Sequence, residues 1–136
     1  MTVSKLFSLE IVTPYGSFFK GEILHVRAPG VEGDFGVLAD HAPLMAGLRP
    51  GRLRCEDPDE SFDFLITGGF FEVHSNRAVV MAENAMRHED VDLERAIRAR
   101  DRALKTLADA KTLEEQEEAR TNLAKAMAII HFAEEE

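Results

Sequence analysis

The sequence has one cysteine, no long apolar run, few basic residues for its acids and, beyond Glu83, neither glycine nor proline. Each shortage excludes something. A lone Cys55 can form no internal disulfide and no cysteine-based metal site, which fits a reducing compartment. No apolar stretch approaches the roughly 18 residues that a membrane-spanning helix needs. Lys and Arg number 16 against 25 Asp and Glu, a net charge of −9. That charge repels phosphate backbones and anionic headgroups, so neither nucleic acid nor direct membrane insertion is expected. The first residues carry only Lys5 before Glu10 interrupts them, unlike a signal or transit peptide, and a cytoplasmic setting is expected.

What is present is the composition of a folded globular chain, 45% apolar and 30% charged. A length of 136 residues suits one core with an appendage, since burial falls as chains shorten. From Leu6 to Glu83, short β-branched or aromatic runs alternate with turn residues, as in a sandwich or barrel. Leu24, Val26 and Ala28 share one face of a strand opposite His25 and Arg27, and Phe62, Phe64 and Ile66 lie opposite Asp63. Pro14-Tyr15-Gly16, Pro29-Gly30, Pro50-Gly51, Asp57-Pro58-Asp59, Gly68-Gly69 and Ser75-Asn76 read as turns, leaving room for seven or more strands.

After Glu83 the residues are those with the strongest helix propensity, and the boundary falls near Arg87–Asp92. Residues 1–86 are expected to form the β domain and 87–136 a helical hairpin with helices over about 92–110 and 113–132. Asp92 is a good N-cap, and Leu93, Ala96, Ile97, Ala103, Leu104 and Leu107 form a stripe of helical period. Thr112 and Glu115 make a capping box that opens the second helix, with a stripe of Ala119, Leu123, Ala126, Met127 and Ile130. So short a break makes the helices antiparallel neighbours. Their stripes are rich in alanine, so the hairpin should be held weakly. The first helix is basic, and the second is acidic and runs into Glu134-Glu135-Glu136. The plain reading of both is a solvated face.

Motifs that suggest catalysis do not hold together. Asp34-Phe35-Gly36 lacks every companion sequence of a kinase. Gly30, Gly33 and Gly36 lack the Lys-Ser/Thr of a phosphate loop and read as a tight irregular loop. The five histidines show no metal-ligand spacing. Asp40-His41 could be half of a dyad, yet no nucleophile accompanies it, and His41-Ala42-Pro43-Leu44 suits a docking loop better. The chain is expected to act by contact.

Gly21-Glu22, Pro29 through Leu38, His41-Ala42-Pro43-Leu44, Pro50-Gly51, Gly68 through Val73 and Ala82-Glu83-Asn84-Ala85, in that order and followed by a helical hairpin, resemble the epsilon subunit of F-type ATP synthases. The resemblance covers nearly the whole chain. It implies a mainly β fold, a ten-stranded β-sandwich followed by an antiparallel α-helical hairpin. It also implies a non-catalytic subunit of the rotary central stalk, beside gamma and on the ring of c subunits, that couples proton-driven rotation to ATP synthesis. On that likeness Glu32 and Asp34 face the ring, while His41, Pro43 and Leu44 lie where gamma or the ring is met. A bacterial inner membrane, on its cytoplasmic face, is the implied setting.

The resemblance further implies that the hairpin can switch between folded and extended forms, reaching the alpha and beta catalytic subunits, and that regulatory ATP biases the balance. Val91-Asp92-Leu93-Glu94-Arg95-Ala96 matches the family's nucleotide signature with Val at its head. Asp92, Arg95 and Arg102 would form the ATP site, although Asp92 as a helix cap and Arg95 as a surface charge explain the same residues. The second helix departs from inhibitory members, having Arg120 and Lys125 among many glutamates, so weak self-inhibition is expected. A free-standing nucleotide sensor and a small enzyme using Asp40 and His41 are the competing readings.

Overall fold

The computed structural model describes residues 5–135. Residues 1–4 and Glu136, the end of the acidic tail, lie outside them. The chain divides into two compact units, Met1–Arg87 and His88–Glu136.

Ten strands make up the first unit: β1 Phe7–Thr13, β2 Gly16–Ile23, β3 His25–Gly30, β4 Gly33–Leu38, β5 Leu44–Leu48, β6 Gly51–Glu56, β7 Ser61–Ile66, β8 Gly69–His74, β9 Arg77–Ala82 and β10 Ala85–Met86. They run in the order β10-β7-β6-β3-β5-β8-β9-β1-β2, with β4 also on β3. The join between β3 and β5 is a single register pair, Gly30 with Leu48, supported by bonds from Val31 N–H to Gly47 O and from Arg49 N–H to Pro29 O. With so narrow a join the sheet folds over on itself as a sandwich. Alternation holds within β3, where Val26 and Ala28 point into the core while Arg27 is exposed; Leu24, expected on the same face, precedes the strand and is only half-buried, and Ile23 takes the core position. The core collects Leu9 and Ile11 of β1, Val37 of β4, Leu53 and Cys55 of β6, Phe64 and Ile66 of β7, and Phe71 and Val80 of β8 and β9. Each such large side chain contributes about 1.5–3 kcal/mol.

One turn and one loop assignment are corrected. Pro29-Gly30 is the end of β3 and not a turn; the turn is Val31-Glu32, and the glycine-rich stretch is the regular β3–β4 hairpin in which Gly30 pairs with Gly33. Gly33, at φ 132°, takes the conformation that closes it without strain. The glycines read as irregularity had concealed a strand. Gly69 is constrained more tightly, since at φ 140° an added Cβ would also collide with the Met81 carbonyl. Ser75 and Asn76, at φ 50° and 58°, form the two-residue turn between β8 and β9 that matches strand twist.

The second unit holds a 3-10 turn, His88–Asp90, then α1 Leu93–Asp109 and α2 Leu113–Glu134. Asp92 caps α1 by accepting from Arg95 N–H at 3.1 Å. Thr112 caps α2 by accepting from Glu115 N–H, while Glu115 reaches back one residue further than a standard capping box, to Lys111 N–H. The stripes are thinner than the periodicity predicts. Leu93, Leu104 and Met127 are exposed, and only Ala96 and Ala103 of α1 are buried. On α2 Phe132, outside the predicted stripe, is almost fully buried beside Ala119, Ala126 and Ile130. Helix period locates a stripe but not its width, because that depends on how closely the partner helix approaches.

Candidate functional site

Three surfaces carry the candidate residues. The first surrounds the β3–β4 turn, where a cavity of about 500 Å³ is lined by residues from Gly30 to Phe35 and from Leu44 to Gly47. It brings Glu32, Asp34 and Leu44 together. Asp34 is engaged within the unit: Arg49 Nη2 donates to it at 2.6 Å, and Arg27 stands 3.8 Å away. Arg49 also donates to Gly30 O at 2.7 Å, so this guanidinium ties the hairpin to the end of β5 at the crossing. Glu32, at the exposed tip, has no ion-pair partner among the described residues and presents its full charge outward.

His41 and Pro43 lie in the loop before β5. Pro43 and Leu44 line a neighbouring depression with Glu72 and His74, whereas His41 lines neither cavity and its Nδ1 lies 2.6 Å from Ala42 O. The loop is tethered at Asp40, which sits in the left-handed region at φ 64°. Its carboxylate accepts from Lys5 Nζ at 2.8 Å and Asn76 Nδ2 at 2.9 Å, and its N–H donates to Asn76 Oδ1 at 2.6 Å. The β8–β9 turn thus fixes a loop far away in sequence. With its carboxylate spent on Lys5 and Asn76, Asp40 does not form the hydrogen-bonded dyad with His41 that the enzyme reading needs.

The second surface was not among the sequence expectations. Gly47, Phe70, Met81 and Val12 are direct cross-strand neighbours on β5, β8, β9 and β1. Phe70 is 56% and Met81 46% exposed. Val31 extends this row, its methyls lying 3.5 Å from where a Cβ on Gly47 would stand. An apolar row of this kind on an outer sheet face is a candidate for contact with another protein. Adjacent Phe70-Phe71 was the available signal, because in a strand one of two successive aromatics must point out.

The third surface is the groove between α1 and α2, a cavity of about 500 Å³ with Arg102 and Thr106 on one wall and Glu115, Glu118, Asn122 and Lys125 on the other. Of the predicted nucleotide residues, Arg102 lines it and Asp92 and Arg95 do not; Asp92 is occupied as the cap of α1. Lys125, Asn122 and Glu118 were missed as a group, though their spacing beside Ala119 and Ala126 puts them on one helix face.

Residues 6–88 match the model of the ATP synthase delta/epsilon chain β-sandwich domain. The ATP synthase epsilon chain of Nitratidesulfovibrio vulgaris is 39% identical over 126 residues, 93% of this chain and 94% of that one. This chain belongs to the ATP synthase epsilon family. The epsilon chain of Dehalococcoides mccartyi is 44% identical over 101 residues, 74% of this chain and 72% of that one. Two solved assemblies contain chains of the same fold. One is the Euglena gracilis mitochondrial ATP synthase, OSCP/F1/c-ring (TM-score 0.80, 20% identity, 95% of this chain and 82% of that one). The other is the Tetrahymena thermophila mitochondrial ATP synthase, central stalk/c-ring (TM-score 0.74, 18% identity, 97% and 99%). As an epsilon chain the protein is a non-catalytic subunit of the rotary ATP synthase, and its surfaces are to be understood as places of contact.

The loop tether is open to a pH test. The hydrogen bond from Lys5, then that from Asn76, holds the Asp40 carboxyl below its ordinary value of 3.8. A depressed folded-state value means the tether is complete above that ordinary value and is lost as pH falls through the lower one. The Asp40 and Asn76 amide signals should therefore titrate in an NMR series with a midpoint below 3.8, and Lys5→Ala should move the midpoint back toward it.

Proposed function

We propose that this chain stands in the central stalk, beside the gamma subunit and on the ring of c subunits, and turns with them to couple proton-driven rotation to ATP synthesis on the catalytic subunits. The observation that carries this reading is the exposed apolar row through Phe70 and Met81, on an outer sheet face that has no reason to be apolar unless another protein covers it. Gamma is its proposed occupant. Glu32, at the tip of the β3–β4 turn, faces the ring loops, where a basic side chain would complement it. Asp34, already neutralised by Arg49, shapes that tip and adds little charge of its own. His41, Pro43 and Leu44 border the same region. The cytoplasmic face of a bacterial inner membrane is the proposed setting, with the chain peripheral; no described helix is long and apolar enough to cross a membrane.

The helical unit is proposed to hold regulatory ATP weakly. Alanine walls suit a base, and Arg102 and Lys125 suit phosphates, but Glu115 and Glu118 leave the groove near neutral. Asp92 and Arg95 would take part only from its margin. The acidic α2 is poorly suited to approach acidic loops of the alpha and beta subunits, so self-inhibition is weak.

Replacing Phe70 by Asp should weaken binding to isolated gamma by about thirtyfold or more while leaving the thermal midpoint nearly unchanged, as expected of a buried interface anchor. Unchanged affinity would remove the basis for this docking face. Truncation after Arg87 should alter ATP hydrolysis by the assembled enzyme less than about twofold, since like charge disfavours insertion; a several-fold rise would contradict the weak brake. In calorimetric titration of the full chain, Arg102→Ala should weaken ATP binding by about tenfold, and equal binding would place the nucleotide elsewhere.

A further inference from the structure

The β3–β4 hairpin has little at its base to fix the direction in which its turn points. Both residues of the closing pair are glycine, Gly30 and Gly33, and a Cβ at Gly30 would stand 2.5 Å from the Gly33 carbonyl oxygen, so no side chain can pack there. Further from the turn, Phe35 meets the Phe71 ring edge-on at 5.1 Å and anchors the body of the hairpin. What reaches the base comes from another strand. Arg49 follows the last residue of β5, and its fork spans the hairpin: Nη1 donates to Gly30 O on β3 at 2.7 Å, and Nη2 donates to Asp34 Oδ1 on β4 at 2.6 Å. One guanidinium thus holds both strands. Arg27 adds a weaker attraction to Asp34 from 3.8 Å. Two backbone bonds flank the fork, Val31 N–H to Gly47 O and Arg49 N–H to Pro29 O, both 2.9 Å long. The residues before Arg49 pair with β8, Gly47 with Phe70 and Leu48 with Gly69, so turn and apolar row are joined through Gly47, Leu48 and Arg49.

We infer that Arg49 is a positioning residue for the stalk contact: it fixes the angle of the Glu32 turn against the sheet that carries Phe70, so that load taken at the turn reaches that face. The inference rests on the placement proposed above, the turn on the ring and the row on gamma. An ion pair as exposed as this one, with the Arg49 side chain 45% and that of Asp34 39% exposed, adds little to the stability of the fold. Its effect is geometric. The planar fork sets two donors at a fixed separation, so the acceptors on β3 and β4 are held at fixed places relative to β5. A lysine ammonium is a single point on a flexible stem and cannot hold both acceptors in this way. Asp34 is then the counter-ion that aims the fork.

The test compares Arg49→Ala and Arg49→Lys with the unaltered protein, as full chains and in the assembled enzyme. In the free chain, hydrogen exchange at the Val31 amide reports whether the turn is held against β5, and it needs no partner. Arg49→Ala should speed that exchange by about threefold to tenfold, Arg49→Lys should lie closer to Arg49→Ala than to the unaltered chain, and the Phe71 and Val80 amides of the core should keep their rates. Unchanged Val31 exchange in Arg49→Ala would overturn the inference, as would equal acceleration at all three amides. Full protection in Arg49→Lys would do the same, because it would leave charge alone as the cause. In the enzyme reconstituted into vesicles, protons pumped per ATP hydrolysed should fall by about twofold or more in both variants. An unaltered ratio beside a loosened turn would overturn the positioning role and leave only a local brace. Failure of the placement itself shows elsewhere, in Phe70→Asp binding gamma as tightly as the unaltered chain.

Discussion

Four phenylalanines hold the far ends of one folded-over sheet together, and the outer surfaces of the sandwich depend on that closure. Phe18 and Phe19 come from β2, the last strand at one end, and Phe62 and Phe64 from β7, next to the last at the other. Their rings meet at centroid distances of 5.1 to 5.2 Å in edge-on and tilted arrangements, geometries favoured by the ring quadrupoles. Among the described residues only the Gly30–Leu48 crossing connects the two halves along the ladder, so the sandwich relies on side chains to close where the hydrogen bonds cannot. Arg87 lies over the Phe18 and Phe64 rings and donates to Phe18 O, which makes the last residue of the sandwich part of its seam.

Because the core is closed in this way, the outer faces are free to be specialised. On one, cross-strand pairing lines up Phe70, Met81 and Val12, which cannot turn inward without shifting the whole register. At the crossing, Arg49 binds both Asp34 and the Gly30 carbonyl, so the β3–β4 turn that carries Glu32 is held by the same strand end that joins the halves. The loop with His41 and Pro43 depends in turn on Asp40 and the β8–β9 turn. A rigid platform with tethered loops is what a subunit needs to pass torque between partners: flexible contacts would absorb the motion they are meant to transmit.

The helical unit is built on the opposite principle. The fully buried part of its seam is alanine, flanked by half-buried Ile97, Leu107 and Leu123, and a groove remains between the helices. In the nucleotide-responsive role proposed for it, its closed and open forms would have to differ by only a few kcal/mol for a ligand or partner to shift them.

Much of this is legible in the sequence. Alternation, turn residues and the change to helix formers after Glu83 gave the β-rich and helical classes. Asp92, Thr112 and Glu115 announced the caps, and the ordered motifs pointed to the epsilon family. These features are local or periodic, and a side chain's immediate neighbours in the chain decide them. What only the tertiary structure decided was pairing: that Gly30 to Gly36 is a hairpin, that Phe70 and not Phe71 faces out, that Asp34 belongs to Arg49, and that His88 stacks on Phe132. Each of these depends on which distant segment comes to lie alongside. That is set by the shared packing of the whole core and the closure entropy of the loops between, and no local pattern carries it.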